Sequence, residues 1–150
     1  MHWIHAKFAH DTSLCMLVIF DNKIRDNCIA VICSVFKTNR SITHLDISHN
    51  QFGLTAVVNV CNTILIDSSA CGLKTMVIES NKLFDAGASL IATALKTNTR
   101  LCTLNVENDS IGPLGIKSLA DMLLQNTTLE MLPSRKIAAI APRNNICIAH

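Results

Sequence analysis

The chain has 150 residues, of which 49% are hydrophobic, 16% charged and 4% aromatic. This length suits one domain, and the apolar content suffices for a sizeable core, which excludes intrinsic disorder as the main state. The net charge of +2 is too small for the clustered basic surface that binding to nucleic acids or anionic membranes requires.

The sequence carries no sign of membrane insertion or secretion. No stretch of about 18 residues lacks polar side chains, so we expect no membrane span. The N-terminal segment MHWIHAKFAHD has neither the basic region nor the following apolar run of a secretory signal. We therefore expect a cytoplasmic location and interpret the seven cysteines as reduced thiols rather than a disulfide framework.

An internal repeat organises the chain. The segments FKTNRSI, LKTNTRL and LLQNTTL resemble one another, and each ends at the first residue of a new unit. The resulting units start at Leu14, Ile42, Leu73, Leu101 and Leu129, at spacings of 28, 31, 28 and 28 residues.

The repeat predicts the organisation of the chain in order. Residues 1–13 are expected to be the helical tail of an incomplete preceding repeat, with Phe8 in the column of Leu and Asp11 in that of Asn. The second repeat has three additional residues, which a loop in 67–72 would accommodate best. Since Pro133 interrupts the next strand, 129–150 is interpreted as a degenerate partial repeat with an irregular C-terminus. The predicted full repeats are 14–41, 42–72, 73–100 and 101–128.

Neither end of the array shows a polar cap of the kind that terminal repeats need. The chain is accordingly interpreted as a fragment of a longer array, a short member, or a product with altered ends.

Each unit begins with a predicted strand and turn. Apolar residues stand at positions 1, 4 and 6, as in Leu73, Met76 and Ile78, and position 9 is a small polar residue such as Asn81. The alternation predicts a short strand with one buried face, and the position-9 side chain is expected to hydrogen-bond the backbone where the chain turns away.

A helical period follows each turn. Apolar residues recur at spacings of three and four, as in Ile116, Leu119, Ala120 and Leu123, which predicts a helix packed on the strand layer. Gly87 and Gly115 share one position of the frame, where Cys28 and Ala56 stand in the other units, and this small-residue column indicates close packing or a helix entry.

The pattern L-x-x-L-x-L-x-x-N, with a helix ending in A-L-x-x-N, resembles the leucine-rich repeats of the ribonuclease-inhibitor type. The clearest copies are 73–100 and 101–128. The resemblance implies an α/β leucine-rich-repeat solenoid, a segment of a horseshoe, with parallel strands on the concave face and helices on the convex face.

The expected concave face consists of positions 3, 5, 7 and 8 of each unit. These sixteen residues include an acid in every unit and neither Lys nor Arg, which predicts an acidic groove for a protein partner with a basic surface. A solvated sheet face with nothing bound is the alternative. The candidate partner-binding residues are Asp21, His44, Asp46, Ser48, His49, Glu79, Asn105, Glu107 and Asn108.

The first unit adds an apolar patch to this face, formed by Met16, Val18 and Phe20. The patch is interpreted either as a binding hot spot or as a surface that a preceding unit covers.

No catalytic or metal-binding constellation is evident. The cysteines are scattered without a Cys-x-x-Cys pair, so we expect no metal, no cofactor and no catalytic residue. Cys33 and Cys61 stand where later units have alanine, and are predicted to lie in the core, whereas Cys15 and Cys102 are expected to be partly buried.

The predicted function is a non-catalytic protein-interaction scaffold, with no nucleic acid, membrane or small-molecule substrate as partner. The resemblance leaves two alternatives, because this repeat type also occurs in GTPase-activating proteins and in NACHT-type receptors. The nucleotide-binding motif GxxxxGK[ST] is not present, so in the second case the chain would be only the repeat part of such a receptor.

Overall fold

The computed structural model describes residues 2–66, 72–133 and 137, with side chains from residue 5 onward. Short strands and helices alternate, as the two sequence periods predict. In chain order the elements are α1 (His2–Phe8), β1 (Met16–Val18), α2 (Asp26–Phe36), β2 (His44–Asp46), α3 (Leu54–Val60) with a π-helical turn (Cys61–Ile66), β3 (Thr75–Val77), α4 (Phe84–Leu95), β4 (Thr103–Asn105) and α5 (Pro113–Leu123).

The strands form one parallel sheet in the order β1-β2-β3-β4. Its central row aligns Leu17 with Leu45, Met76 and Leu104, and all four are buried. Each connection runs through a helix, which is the crossover that parallel neighbours need. A parallel bridge from Thr103 to Met131 extends the ladder past β4. The predicted α/β class with parallel strands is confirmed.

The helices bury the stripes that their periodicity predicts. In α5, Ile116, Leu119, Ala120 and Leu123 lie in the core, as expected. Cys33 of α2 and Cys61 are also buried, which confirms their prediction as core residues. Cys102 is partly buried as expected. The same prediction for Cys15 is wrong, because Cys15 precedes the edge strand β1 and is exposed.

The helix of the second repeat, α3 with its π-helical turn, accommodates one additional residue. After Cys61 the next buried residues are Ile64 and Leu65, whereas after Cys33 they are Val35 and Phe36, one position earlier. A π-helical turn takes in one more residue than an α-helical turn, so one of the three extra residues lies in Cys61–Ile66. Most of the segment expected to hold the insertion, 67–71, lies outside the described residues.

A first row of hydrogen bonds joins successive turns through the side chains at position 9 of the units. We call these three residues, Asn50, Asn81 and Asp109, the turn ladder. The Asn50 Oδ1 accepts from the backbone N of Ile24 at 2.9 Å, and Asn81 Oδ1 accepts from the N of Asn50 at 3.1 Å. Asp109 Oδ1 accepts from the N of Asn81 at 2.6 Å. The predicted role of this position in binding turn backbone is confirmed.

A second row, the helix-end ladder, consists of Asn39, Asn98 and Asn126, which are buried. The Nδ2 of Asn98 donates to the O of Leu65 at 2.7 Å, and the Nδ2 of Asn126 donates to the O of Leu95 at 2.6 Å. Each amide thus ties the end of one helix to the preceding unit.

The N-terminal segment takes part in the same pattern. The Nδ2 of Asn39 donates to the O of Phe8 and to the O of Asp11, both at 2.8 Å. Asp11 Oδ1 in turn accepts from the backbone N of Ser13 and Leu14, and these bonds, with the Ser13 hydroxyl as the largest contribution, lower the pKa of Asp11. Phe8 and Asp11 therefore make the contacts of the Leu and Asn columns.

Candidate protein-binding face

One side of the sheet is open, and we call it the strand face. Residues at positions 4 and 6 point into the core, while those at positions 3 and 5 alternate to the other side. Eight of the nine candidate residues lie in the second to fourth units, beside the exposed Met16, Val18 and Phe20 of the first. Asp21, His49 and Asn108 are exposed, and His44, Asp46, Glu79, Asn105 and Glu107 are half-buried.

Ser48 does not present its side chain on the strand face, contrary to expectation. It is 5% exposed, and its backbone N and Oγ donate to Asp46 Oδ1 at 2.9 and 2.5 Å. The hydroxyl faces away from solvent because it donates a hydrogen bond to the carboxylate of Asp46 at the end of β2. Ser48 therefore positions Asp46 and is too buried to contact a partner through its side chain.

Glu79 is the centre of a polar group that we call the Glu79 cluster, formed with His49, Asn105 and Asn108. Its Oε2 accepts from Asn105 Nδ2 at 2.8 Å, and its Oε1 accepts from Asn108 Nδ2 at 3.4 Å. His49 Nε2 lies 4.0 Å from the same Oε1. Four candidate residues from three adjacent units therefore meet at one carboxylate.

The amide of Asn105 is oriented by the backbone. Its Oδ1 accepts from the N of Glu107 at 2.9 Å, which leaves the Nδ2 to face Glu79. A carboxylate held by a fixed donor loses little side-chain entropy when a partner cation binds it, and the arrangement is thus pre-organised for such a contact.

The residues at position 8 share an unusual backbone conformation. Asp21, His49, Ser80 and Asn108 have φ angles of 53, 52, 58 and 55°, in the left-handed region that side chains with a Cβ seldom adopt. The backbone N of His49 donates to the O of Glu79, and that of Ser80 donates to the O of Glu107, both at 2.9 Å. These bonds hold the turn and bring the position-8 side chains to the rim of the strand face.

Sequence reasoning did not find this column of left-handed residues. Asn108 is a residue type that tolerates the conformation, but Ser80 and His49 give no local signal. The parallel neighbour imposes the conformation through the bonds to its carbonyls, so only the packed array reveals it.

The charge of the strand face has one sign. Asp21, Asp46, Glu79 and Glu107 contribute one acid per unit, and none of the sixteen positions carries Lys or Arg. Negative charge along one strip of a surface attracts cationic groups of a partner.

Within 5–66, 72–133 and 137, no three His, Cys, Asp or Glu side chains are grouped so that they could hold a metal ion. The described helices are also too short or too polar to cross a membrane.

The chain is similar in sequence to proteins that contain NACHT, LRR and PYD domains. It is 27% identical over 126 residues to NACHT, LRR and PYD domains-containing protein 4C of Mus musculus, which covers 80% of this chain and 13% of that protein. It is 30% identical over 97 residues to NACHT, LRR and PYD domains-containing protein 3 of Macaca mulatta, covering 65% of this chain and 9% of that protein. The chain thus spans about a tenth of the length of these relatives. No protein-family profile matches it.

Two solved structures share the fold at low sequence identity. The leiomodin-1 actin-binding site 2 has a TM-score of 0.77 and 17% identity, over 85% of this chain and 75% of that chain. The tropomodulin C-terminal domain of Caenorhabditis elegans has a TM-score of 0.65 and 12% identity, over 92% and 89% of the two chains. Likeness at this identity concerns the fold alone. Together with the relatives, the parallel sheet and its helices support a segment of the leucine-rich-repeat type.

Proposed function

We propose that the chain is a non-catalytic protein-binding scaffold built from leucine-rich repeats of the ribonuclease-inhibitor type. Its units of 28 residues, with one of 31, would form a curved solenoid whose concave side is the strand face. The observation that carries the proposal is the Glu79 cluster, a pre-organised carboxylate at the middle of a face with acids in every unit. The similarity to proteins named for their NACHT, LRR and PYD domains supports the leucine-rich-repeat part of the proposal.

The proposed partner has a basic surface. A lysine or arginine that reaches Glu79 would form a charge-assisted hydrogen bond, and Asp46 and Glu107 would attract further cations from the flanking units. His49, Asn105 and Asn108 would supply neutral donors and acceptors beside that contact. Binding in this mode needs neither cofactor nor catalytic group, and the face works in a cytoplasm where the cysteines are reduced.

The decisive experiment compares two variants with the same change in net charge. The face variant carries Asp46→Asn, Glu79→Gln and Glu107→Gln, and the control carries Asp121→Asn, Glu130→Gln and Gln125→Lys, whose sites lie off the strand face. Immobilised wild type, face variant and control are exposed to cell lysate at rising salt, and captured proteins are identified and sorted by isoelectric point.

We expect wild type and control to retain basic proteins that salt releases, and the face variant to lose most of them. Electrostatic attraction depends on salt, and neutralising the strip removes it. Equal capture by the face variant and the control would place the binding site elsewhere. Circular dichroism of each protein establishes that the variants are folded.

A second candidate is that this segment is the repeat region of a larger NACHT-domain protein. The relatives support it, because in each of them the similar part is a small share of a long chain. An antibody against residues 73–128 would then detect a native protein several times larger than 16.4 kDa. A native protein near 16.4 kDa would contradict this candidate and leave the scaffold proposal standing.

A further inference from the structure

Asp109 occupies a column in which the neighbouring units have asparagine. Asn50 and Asn81 each use both ends of the amide. Their Oδ1 atoms accept from backbone N–H groups, and the Nδ2 of Asn50 donates to the carbonyls of Ile19 at 3.0 Å, Ile47 at 3.0 Å and Ser48 at 2.9 Å. An amide suits this place because it carries an acceptor and a donor on one planar group.

The carboxyl of Asp109 reproduces only the accepting half of this arrangement. Its Oδ1 accepts a hydrogen bond from the backbone N–H of Asn81 at 2.6 Å, just as the Oδ1 of Asn81 accepts one from the backbone N–H of Asn50. Its Oδ2, which stands where the amide nitrogen would be, is buried and has no hydrogen-bond partner among the described residues, while the residue is 1% exposed. Such a buried oxygen is costly when it is an anion without a donor.

The equivalent position in the preceding unit shows which groups the repeat places beside the second oxygen. The Nδ2 of Asn81 donates to the carbonyls of Ile47, Ile78 and Glu79, at 3.2, 2.5 and 3.3 Å. One unit further, the corresponding carbonyls are those of Ile78, Val106 and Glu107. A carboxylate oxygen facing carbonyl oxygens is repelled, whereas a protonated carboxyl would donate to them as the amide does.

We propose that Asp109 is a proton-dependent member of the turn ladder: in the folded protein it is a neutral carboxylic acid that stands in for asparagine, and its ionisation weakens the fold. The proton on Oδ2 supplies the donor that the column requires. The turn that carries Glu107 and Asn108 therefore depends on pH, unlike the turns at Asn50 and Asn81.

The charges on the neighbouring elements agree with this assignment. Burial raises the pKa of Asp109 to about 8, the N–H of Asn81 opposes that change, and the negative charge of Glu79 adds to it. Other charged groups of the third to fifth units are engaged or at the surface. Asp85 Oδ1 accepts from the N of Gly112 and Gly115, Lys82 and Glu130 are exposed, and Glu107 is half-buried on the strand face.

The direction of the pH effect follows from the raised pKa. An unfolded chain releases this proton near 3.8, but the folded protein holds it until about 8. Stability from the protonated carboxyl is therefore complete below the lower pH, declines as the pH rises between the two, and is lost above the higher one. Each pH unit in that interval changes the unfolding constant by about tenfold for one proton.

The test compares wild type with Asp109→Asn in the full chain, by denaturant unfolding from pH 4 to 9. We expect the ratio of the unfolding constants, wild type to variant, to rise by about tenfold per pH unit and to level off near pH 8. Asp109→Asn then resists denaturant better than wild type at pH 7 to 9. A ratio that is independent of pH, or a variant that is less stable throughout, would overturn the proposal.

A measurement on the wild-type chain keeps the test independent of variant folding. The carboxyl carbon of Asp109, followed by NMR in the wild-type chain, should titrate far above 3.8, and titration near that value would refute the neutral acid. The reciprocal variant Asn81→Asp should acquire a second pH-dependent loss of stability, whereas Glu79→Gln should lower the titration midpoint of Asp109. These measurements involve no partner, so a failure of partner capture would contradict the proposed function and leave the assignment of Asp109 unaffected.

Discussion

At the scale of single residues, buried asparagines hold the repeat units together. In the helix-end ladder each Oδ1 accepts from the N–H groups two and three residues later, as Asn98 does from Arg100 at 2.9 Å and from Leu101 at 2.8 Å. The Nδ2 reaches the preceding unit. One side chain thus satisfies backbone groups on both sides of an interface between units, which water cannot reach.

We expect Asn98→Ala to lower the free energy of unfolding by about 3 kcal/mol, because it leaves the buried carbonyl of Leu65 and two N–H groups without partners. The measurement is denaturant unfolding followed by circular dichroism. Thr97→Ala, at the adjacent exposed position, is the matched control and should change stability by less than about 0.5 kcal/mol. A loss below about 1 kcal/mol at Asn98 would show that the ladder is dispensable.

At the scale of elements, the helices are locked to one another at their first turns. Asp85 in α4 accepts through Oδ1 from the backbone N of Gly112 at 2.7 Å and of Gly115 at 2.9 Å. Asp26 in α2 does the same for Gly53, at 2.7 Å. A carboxylate beside the start of the next helix satisfies free N–H groups and interacts favourably with the helix dipole. These contacts set how closely successive helices approach.

We expect Gly115→Ala to destabilise the chain by about 2 kcal/mol although alanine is the better helix former. A Cβ at this position would lie 2.7 Å from Ile111 Cγ2, 2.8 Å from Asp85 Oδ1 and 2.9 Å from Ala88 Cβ, so α4 and α5 would have to separate. Thermal unfolding monitored by circular dichroism measures the effect.

The matched control is Gly53→Ala, because a Cβ there meets nothing within 4 Å and Gly53 has a negative φ. It should leave the unfolding temperature unchanged or slightly raised. Equal behaviour of the two variants would mean that helix packing does not select the small-residue column.

At the scale of the whole molecule, one core runs through all the units. The buried row of the sheet and the helical stripes form a continuous cluster, to which Leu129 and Leu132 also belong. Each ladder contact joins a unit to its neighbour, so stability is expected to depend on the sum of units and interfaces. The acids of the strand face and the helical layer lie on opposite sides of this core, which leaves the face free for a partner.

The reactivity of the cysteine thiols can be used to measure the opening of this core. Cys33 and Cys61 are buried, and burial together with the neighbouring Cys33 raises the pKa of the Cys61 thiol to about 12, whereas Cys15 is exposed. Only thiolates react rapidly with alkylating reagents, so we expect Cys15 to be modified in the folded protein and the two buried thiols only on unfolding. Peptide mass spectrometry after brief labelling at rising denaturant measures this.

Modification of Cys61 should follow the same denaturant curve as circular dichroism. Labelling of Cys61 before the unfolding transition would contradict a closed core. Cys15→Ser should abolish the fast reaction at that position and leave the slow reaction of Cys33 and Cys61 unchanged.

The alternation of strands and helices, the apolar columns and the polar positions that bind the turns were predictable from the amino-acid sequence. These follow from local periodicity, because a residue such as Met76 or Leu119 is buried by the face of the element on which it lies. The acids at one position per unit were also evident, since the strand period assigns them to one side of the sheet.

Which of these residues contact one another depends on the packing of one unit against the next. The convergence of Asn105, Asn108 and His49 on Glu79, the withdrawal of Ser48, the left-handed turn at Ser80 and the unpaired oxygen of Asp109 all depend on groups from a neighbouring unit. Those groups are remote in the chain and adjacent only once the sheet is formed. A repeat pattern specifies each unit's own burial, but hydrogen bonds between units depend on register and distance, which packing determines.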